Sequence, residues 1–302
     1  MKKILLSTTL LVATAGVAAA EVTLSGSGRF GLDYRESREV ETQLNYRLRI
    51  NVNAKFEADN GVTYGGRIRF QDNNAGAAYF SPAMLYVEAS GVRVEVGNAN
   101  TAYDSVALMY NPEIGFQERS FGDPQGDYFS FSSGGYDKER VGIYAAYSYA
   151  GVNLKASYIN PDQTFTDSTT ETSIAADYTM GQVTLAAAYA DQGAGIEGNY
   201  LTFIGAAYKI NDVANVGLNY NDNGLSAAEK TITLYGNYTI NGVTLAAYVS
   251  DSDGTNPDTL EDWDTAYGLG ASYDLGGATL AGAVESGFDG NMQADLGVRM
   301  SF

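Results

Sequence analysis

Between Leu44 and Phe56 apolar and polar residues alternate without a break. Leu44, Tyr46, Leu48, Ile50, Val52, Ala54 and Phe56 share one face, while Asn45, Arg47, Arg49, Asn51, Asn53 and Lys55 share the other. A period of two is that of a strand with one greasy side and one wet side. Its length matters as much as its phase. Strands of soluble proteins run to about 5 to 6 residues, whereas a tilted strand crossing a bilayer needs about 9 to 11. The same pattern surrounds this segment. Upstream, Val22, Leu24, Phe30, Leu32 and Tyr34 alternate with Thr23, Ser25, Ser27, Arg29, Asp33 and Arg35; after the turn Asp59-Asn60-Gly61, Tyr64, Ile68 and Phe70 alternate with Thr63, Arg67, Arg69 and Gln71.

The pattern predicts 16 strands, at residues 22–34, 42–56, 61–71, 82–89, 91–99, 140–150, 151–160, 171–180, 181–190, 200–210, 213–221, 230–241, 242–250, 264–275, 277–286 and 291–302. Short turns such as Ser90-Gly91, Ala150-Gly151 and Asn241-Gly242 alternate with longer polar links, as in a barrel whose two ends face different compartments. Residues 127–132 also look strand-like. Counting them would make the total odd and invert the alternation of every later hairpin, so they belong to one long connection, 100–139. In hydrocarbon an unpaired amide costs several kcal/mol, so the sheet must close on itself. The fold class expected is therefore all-β: a 16-stranded antiparallel transmembrane β-barrel with a long inward-folded third loop. The inward arginines, asparagines and lysine of the second strand require a water-filled lumen. Tyrosines recur near strand ends in phase with the apolar residues, which suits the headgroup level.

Residues 1–20 read as a secretory signal, with Lys2 and Lys3 ahead of an apolar stretch and Ala18-Ala19-Ala20 before Glu21; residues 21–302 form the barrel. Loss of the two lysines would take the formal charge from −18 to −20. That acidity disfavours nucleic acid as a partner. The chain has no cysteine and no histidine, so disulfides, thiolate sites and the commonest general base are absent. No enzyme constellation is visible. With 35 Gly, 23 Tyr and only 5 Pro, the composition suits many strands rather than α/β layers.

Phase places Arg29, Arg47, Arg49, Arg67, Arg69 and Arg93 on the lumen side. The first five belong to three hairpin-linked strands and form a basic band. The long link carries Asp104, Glu113, Glu118, Asp123, Asp127, Asp137 and Glu139 against only Arg119 and Lys138, and residues 101–110 could form one or two helical turns. Folded inward, this link would set acids against the arginines. The resulting transverse field passes small polar solutes and rejects apolar ones, which would displace ordered water without replacing it. Overall acidity predicts a modest preference for cations. No cofactor is required; Asp251-Ser252-Asp253-Gly254 is oxygen-rich and could hold Ca²⁺, although it lacks the spacing of a calcium loop.

Several segments are telling together: Leu24-Ser25-Gly26-Ser27-Gly28-Arg29-Phe30-Gly31-Leu32, Arg47-Leu48-Arg49-Ile50-Asn51, the run from Val96 to Val106, Gly151-Val152-Asn153-Leu154, and the terminal Ala294 to Phe302. On these the chain resembles the general diffusion porins of purple non-sulfur photosynthetic bacteria and their alphaproteobacterial relatives. The resemblance implies a homotrimer of barrels in the bacterial outer membrane, in contact with lipid and lipopolysaccharide. It further implies a third loop that constricts each channel, with arginines of the early strands on one side and acids of the loop on the other. Calcium-containing pores occur among such proteins, but no ligand matches residue by residue. The terminal Phe302 is similar to the aromatic read by the insertion machinery, and a new amine at Glu21 could pair with the Phe302 carboxylate across the closing seam. The function expected is passive transport of ions and small hydrophilic solutes. A solute-selective channel, and a structural barrel with an occluded lumen, remain as alternatives.

Overall fold

The structure, a computed structural model, describes residues 20–302 except Ala75 and residues 136–138. The export segment lies outside the described residues apart from Ala20, as do Asp137 and Lys138 of the long link.

The alternating segments are all strands: β1 (Glu21–Arg35), β2 (Thr42–Glu57), β3 (Thr63–Asn73), β4 (Tyr79–Phe80), β5 (Met84–Ala89), β6 (Val92–Gly97), β7 (Val141–Tyr149), β8 (Val152–Asn160), β9 (Glu171–Met180), β10 (Val183–Asp191), β11 (Leu201–Asn211), β12 (Ala214–Asn223), β13 (Lys230–Ile240), β14 (Val243–Ser252), β15 (Ala266–Asp274), β16 (Ala278–Ser286) and β17 (Met292–Ser301). β4 and β5 are two pieces of one wall strand, since both pair with β3. Pro82, which has no N–H to give to a ladder, lies in the gap between them. The wall is therefore 16 strands, each antiparallel to its neighbours.

Closure comes from β17 pairing with β1, from Ser27 opposite Ser301 to Arg35 opposite Gln293. The ladder ends on a reciprocal backbone pair, with the Gly26 N–H donating to the Phe302 carbonyl at 2.7 Å and the Phe302 N–H to the Gly26 carbonyl at 3.1 Å. The amine expected at Glu21 after cleavage would thus have the Gly26–Phe302 pair, not Phe302 alone, at the seam. Glu21 lies five residues from Gly26 along β1, roughly 16 Å at strand rise, and its carboxylate meets Lys55 Nζ at 3.1 Å.

Ser90-Gly91, Ala150-Gly151 and Asn241-Gly242 carry consecutive positive φ angles of 51° and 80°, 49° and 83°, and 51° and 79°. That is the two-residue turn whose twist matches paired strands, and glycine at its second position carries no Cβ penalty. The long connection contains no strand among its described residues. Its expected helical turns reduce to a single one, marked by the Ser105 N–H on the Thr101 carbonyl at 3.2 Å, and Leu108 at φ 70° turns the chain away.

Burial is the reverse of that in a soluble protein. Leu24 and Leu44 on the outer face are 71% and 74% exposed, whereas Asn219, Thr231, Thr233 and Ser250 on the inner face are fully buried. A soluble sandwich would hide the leucines and expose the hydroxyls. No described helix is long and apolar enough to cross a membrane; strands do the crossing.

Candidate pore constriction

Strand register, more than sequence spacing, assembles the basic wall. Arg299 of β17 lies opposite Arg29 of β1, and Arg29 lies opposite Arg47 of β2. Three arginines thus stand side by side on strands about 5 Å apart. One pleat further on, Ser301, Ser27 and Arg49 form a parallel row. Arg299 was not singled out from the sequence. Its inward phase was readable, but only the seam makes the last strand a neighbour of the first.

On β3 the forks are held by the preceding strand. Arg67 Nε donates to Asn53 Oδ1 and Arg69 Nε to Asn51 Oδ1, each at 2.9 Å. Arg49 donates to the Gln71 amide oxygen. Arg69 also reaches Ser133 Oγ of the loop at 2.9 Å and lies 4.6 Å from the Phe131 ring centre. Arg93 stands apart from this group. It sits two residues after the Ser90-Gly91 turn and bonds Glu88 and Glu95 at 3.0 and 2.8 Å, with its guanidinium 3.7 Å from the Tyr86 ring centre. Its charge is met by its own wall, not by the loop.

The loop enters the lumen because the opposite wall offers it partners. The Ala102 and Tyr103 N–H groups donate to Ser157 and Ser173 at 2.9 and 3.1 Å. Asn219 Nδ2 donates to the Leu108 carbonyl at 2.9 Å, Asn223 Oδ1 accepts from the Gln125 N–H at 2.9 Å, and Glu171 accepts from the Phe129 N–H at 2.7 Å. At the tip, Asp295 accepts from the Phe116 N–H at 3.0 Å. Gly115, at φ 73°, packs so closely on that carboxylate that a Cβ would overlap it. Arg119 completes the clamp, with Asp33 at 2.9 Å and Glu285 at 3.0 Å, and Glu285 accepts from Tyr248 at 2.8 Å. Both carboxylates are buried; Asp33 also has Arg38 at 2.8 Å, so removing the Arg119 guanidinium would strand the charge of Glu285.

This attachment decides which acids face the arginines. Glu118 bonds Arg299 at 2.8 Å, and Glu113 lies within the fields of Arg29, Arg299 and Arg47. The other three expected acids do not line that gap. Asp104 is turned toward the Tyr110 hydroxyl at 2.6 Å, which in turn meets Tyr128 at 2.8 Å. Asp123 Oδ1 is enclosed without a hydrogen-bond partner. Asp127 is exposed, and it is its backbone carbonyl that accepts from Asn199 at 2.9 Å. The tip binds through its backbone and Arg119, so acid count alone misjudges which side chains are left free. Burial, with Glu118 beside it, pushes the Glu113 carboxyl up to about 8 against the pull of the arginines. Burial also holds Asp123 well above the carboxylate range and raises Asp104, the latter countered by its Tyr110 hydrogen bond.

Between tip and wall lies an open cavity of about 350 Å³, lined by Arg29, Arg47, Arg299 and Glu118 together with Ser27, Thr279 and Ser301. In the oxygen-rich Asp251-Ser252-Asp253-Gly254 segment, Asp251 accepts from Thr265 at 3.0 Å and Asp253 from the Lys230 N–H at 2.8 Å. Among the described residues no group of three or more carboxylates is disposed to hold a metal ion.

The comparisons with known proteins agree with this architecture. Residues 7–298 match the family described as Gram-negative porin. A curated porin of Fuscovulum blasticum is 46% identical over 297 residues, spanning 93% of this chain and all of that protein. A solved double mutant of the Rh. blastica porin superposes with a TM-score of 0.88 at 44% identity, again over 93% of this chain and all of the other. A structure of engineered proteins described for asymmetric conductivity gives 0.89 at the same identity and coverage. The chain belongs to the Gram-negative porin family and is an integral β-barrel of the outer membrane.

Proposed function

We propose that this porin passes ions and small hydrophilic solutes by diffusion, and that the gap between the Arg299–Arg29–Arg47 row and the Glu113–Glu118 tip is its electrostatic sieve. The observation that carries the reading is the cavity bounded on one side by that row and on the other by Glu118. Charges fixed on facing sides of a narrow aqueous passage orient water across it. A polar solute replaces those interactions, and an apolar one does not. Diffusion down a gradient needs no cofactor and no catalytic group, in keeping with a chain that lacks histidine and cysteine. The assembly we assign is a homotrimer, each barrel with its own channel, on the strength of the family resemblance. Its outer faces would be shared between lipid and neighbouring copies.

Reconstitution of the purified protein in planar bilayers tests the reading. Large ohmic current steps are expected, with uptake of small sugars into loaded vesicles. Bilayers that stay closed, or steps below a picosiemens, would favour an occluded structural barrel. Saturable uptake of one sugar alone would favour a solute-selective channel.

A further inference from the structure

We infer that the lumen contains a binding site for a small oxyanion with two negative charges, such as hydrogen phosphate or the head of a phosphomonoester, at the row Thr279–Arg299–Arg29–Arg47. This deepens the reading of the same gap as a charged sieve and rests on it.

The row is a single line of register partners across four strands: Thr279 of β16 opposite Arg299, Arg299 opposite Arg29, Arg29 opposite Arg47. The adjacent inward row runs Ser301, Ser27, Arg49. Like charges placed directly opposite one another on paired strands destabilise the sheet, so the arrangement calls for counter-charge. The wall and the loop supply little of it. Arg299 meets Glu118 at 2.8 Å, its one ion pair among the described residues. Arg29 donates one terminal nitrogen to the neutral carbonyl of Gln117, and its Nε is enclosed without a partner. Arg49 is matched to an uncharged glutamine. Arg47 has neither hydrogen bond nor ion pair among the described residues, and yet it borders the cavity.

Two or more guanidinium charges are therefore left over, on planar forks whose geometry suits oxygens in pairs. Hydroxyls of Ser27, Thr279 and Ser301 add donors around the same cavity of about 350 Å³. Asp274 also borders it, but that carboxylate is turned into its own turn, accepting from the Gly276 N–H at 2.7 Å. Chloride could answer one charge at a time; a dianion answers two forks at once. The overall acidity of the chain, which predicted cation preference, lies largely elsewhere. The anion is held where Arg47 and Arg29 have no carboxylate bonded to them and feel Glu113 and Glu118 only across the gap.

The test is single-channel recording in potassium chloride at neutral pH, with inorganic phosphate titrated into one chamber and, in a second arm, glucose 6-phosphate. Wild-type current should fall with a saturating dependence on phosphate. In the Arg47→Gln variant half-block should need roughly tenfold more, the loss of one charge-assisted contact. Block by both solutes identifies the head group as the recognised element; block by inorganic phosphate alone confines the site to the free ion. Currents that change linearly with phosphate, with equal slope in wild type and variant, would overturn the inference. Open channels in plain potassium chloride, present or absent, report on the pore reading independently. Should Arg47→Gln fail to insert, Thr279→Val with wild type supplies the same comparison, a smaller rise in the half-blocking concentration being expected.

Discussion

Two sectors of the inner wall obey the same alternation and end in opposite states. On β8–β16 the inward Ser157, Ser173, Asn219, Thr233 and Glu285 are buried because the loop lies against them. On β17, β1 and β2 the inward Arg299, Arg29 and Arg47 border open space. The first sector offers hydroxyls, amides and carboxylates, which can accept and donate in turn and so satisfy an irregular backbone. The second presents a row of cations, which repel one another and attract only carbonyls from the backbone, and its carboxylates, Asp33 and Asp295, hold just the loop tip through Arg119 and the Phe116 N–H. Most of the loop is drawn to the wall that can complete its hydrogen bonds, only its tip reaches across, and the aqueous path is left beside the arginine row.

The sharpest way to break this contrast is to release the loop. Arg119→Ala leaves Glu285 buried without its cation, while Asp33 keeps Arg38 at 2.8 Å, and a loss of about 3 kcal/mol is expected. It should appear as a lowered unfolding temperature in detergent and as flickering current; unchanged melting and quiet channels would show that the clamp does not hold the tip. Next in size is removal of charge from the open wall. Replacing Arg29, Arg47 and Arg49 by glutamine should move the reversal potential toward cations. Each charge near the ion path is worth ~1 kcal/mol in water at 4 Å, about fivefold in permeability ratio. An unmoved reversal potential would separate these side chains from permeation.

A smaller effect should follow pH. Because the Glu113 carboxyl is pushed up to about 8, it is neutral below that value and gains its charge above it. Cation preference should therefore rise between about pH 7 and pH 9, and Glu113→Gln should flatten the profile over that window. Smallest of all should be Glu118→Gln. It frees Arg299 from a half-exposed pair worth about 0–1 kcal/mol, with a slight shift toward anions.

Much of this was legible in the chain. All 16 wall strands follow from period-two patterning, and the assignment of residues 127–132 to a loop matches the structure, because parity of up and down strands leaves no room for another. Arg29, Arg47, Arg49, Arg67 and Arg69 stand on the lumen face as their phase required. The acids were harder to read. Asp104, Asp123 and Asp127 sit on an irregular segment, where no periodicity tells which way a side chain turns, and the partners that turn them, Tyr110 among them, are set by folding of the loop. Arg93 shows a related limit: its inward phase was right, but Glu88 and Glu95 beside it cancel the role that phase suggested.

Alternation along a strand is a local property, so the residues themselves determined the membrane-facing surface, the wet interior and the need for closure. Tertiary structure decided how far each strand slides against the next. That register put Arg299 beside Arg29 across the seam, set Phe302 against Gly26, and left Glu113 and Glu118 as the acids at the gap. Register depends on hydrogen bonds between strands distant in the chain, and no single stretch of sequence carries that information.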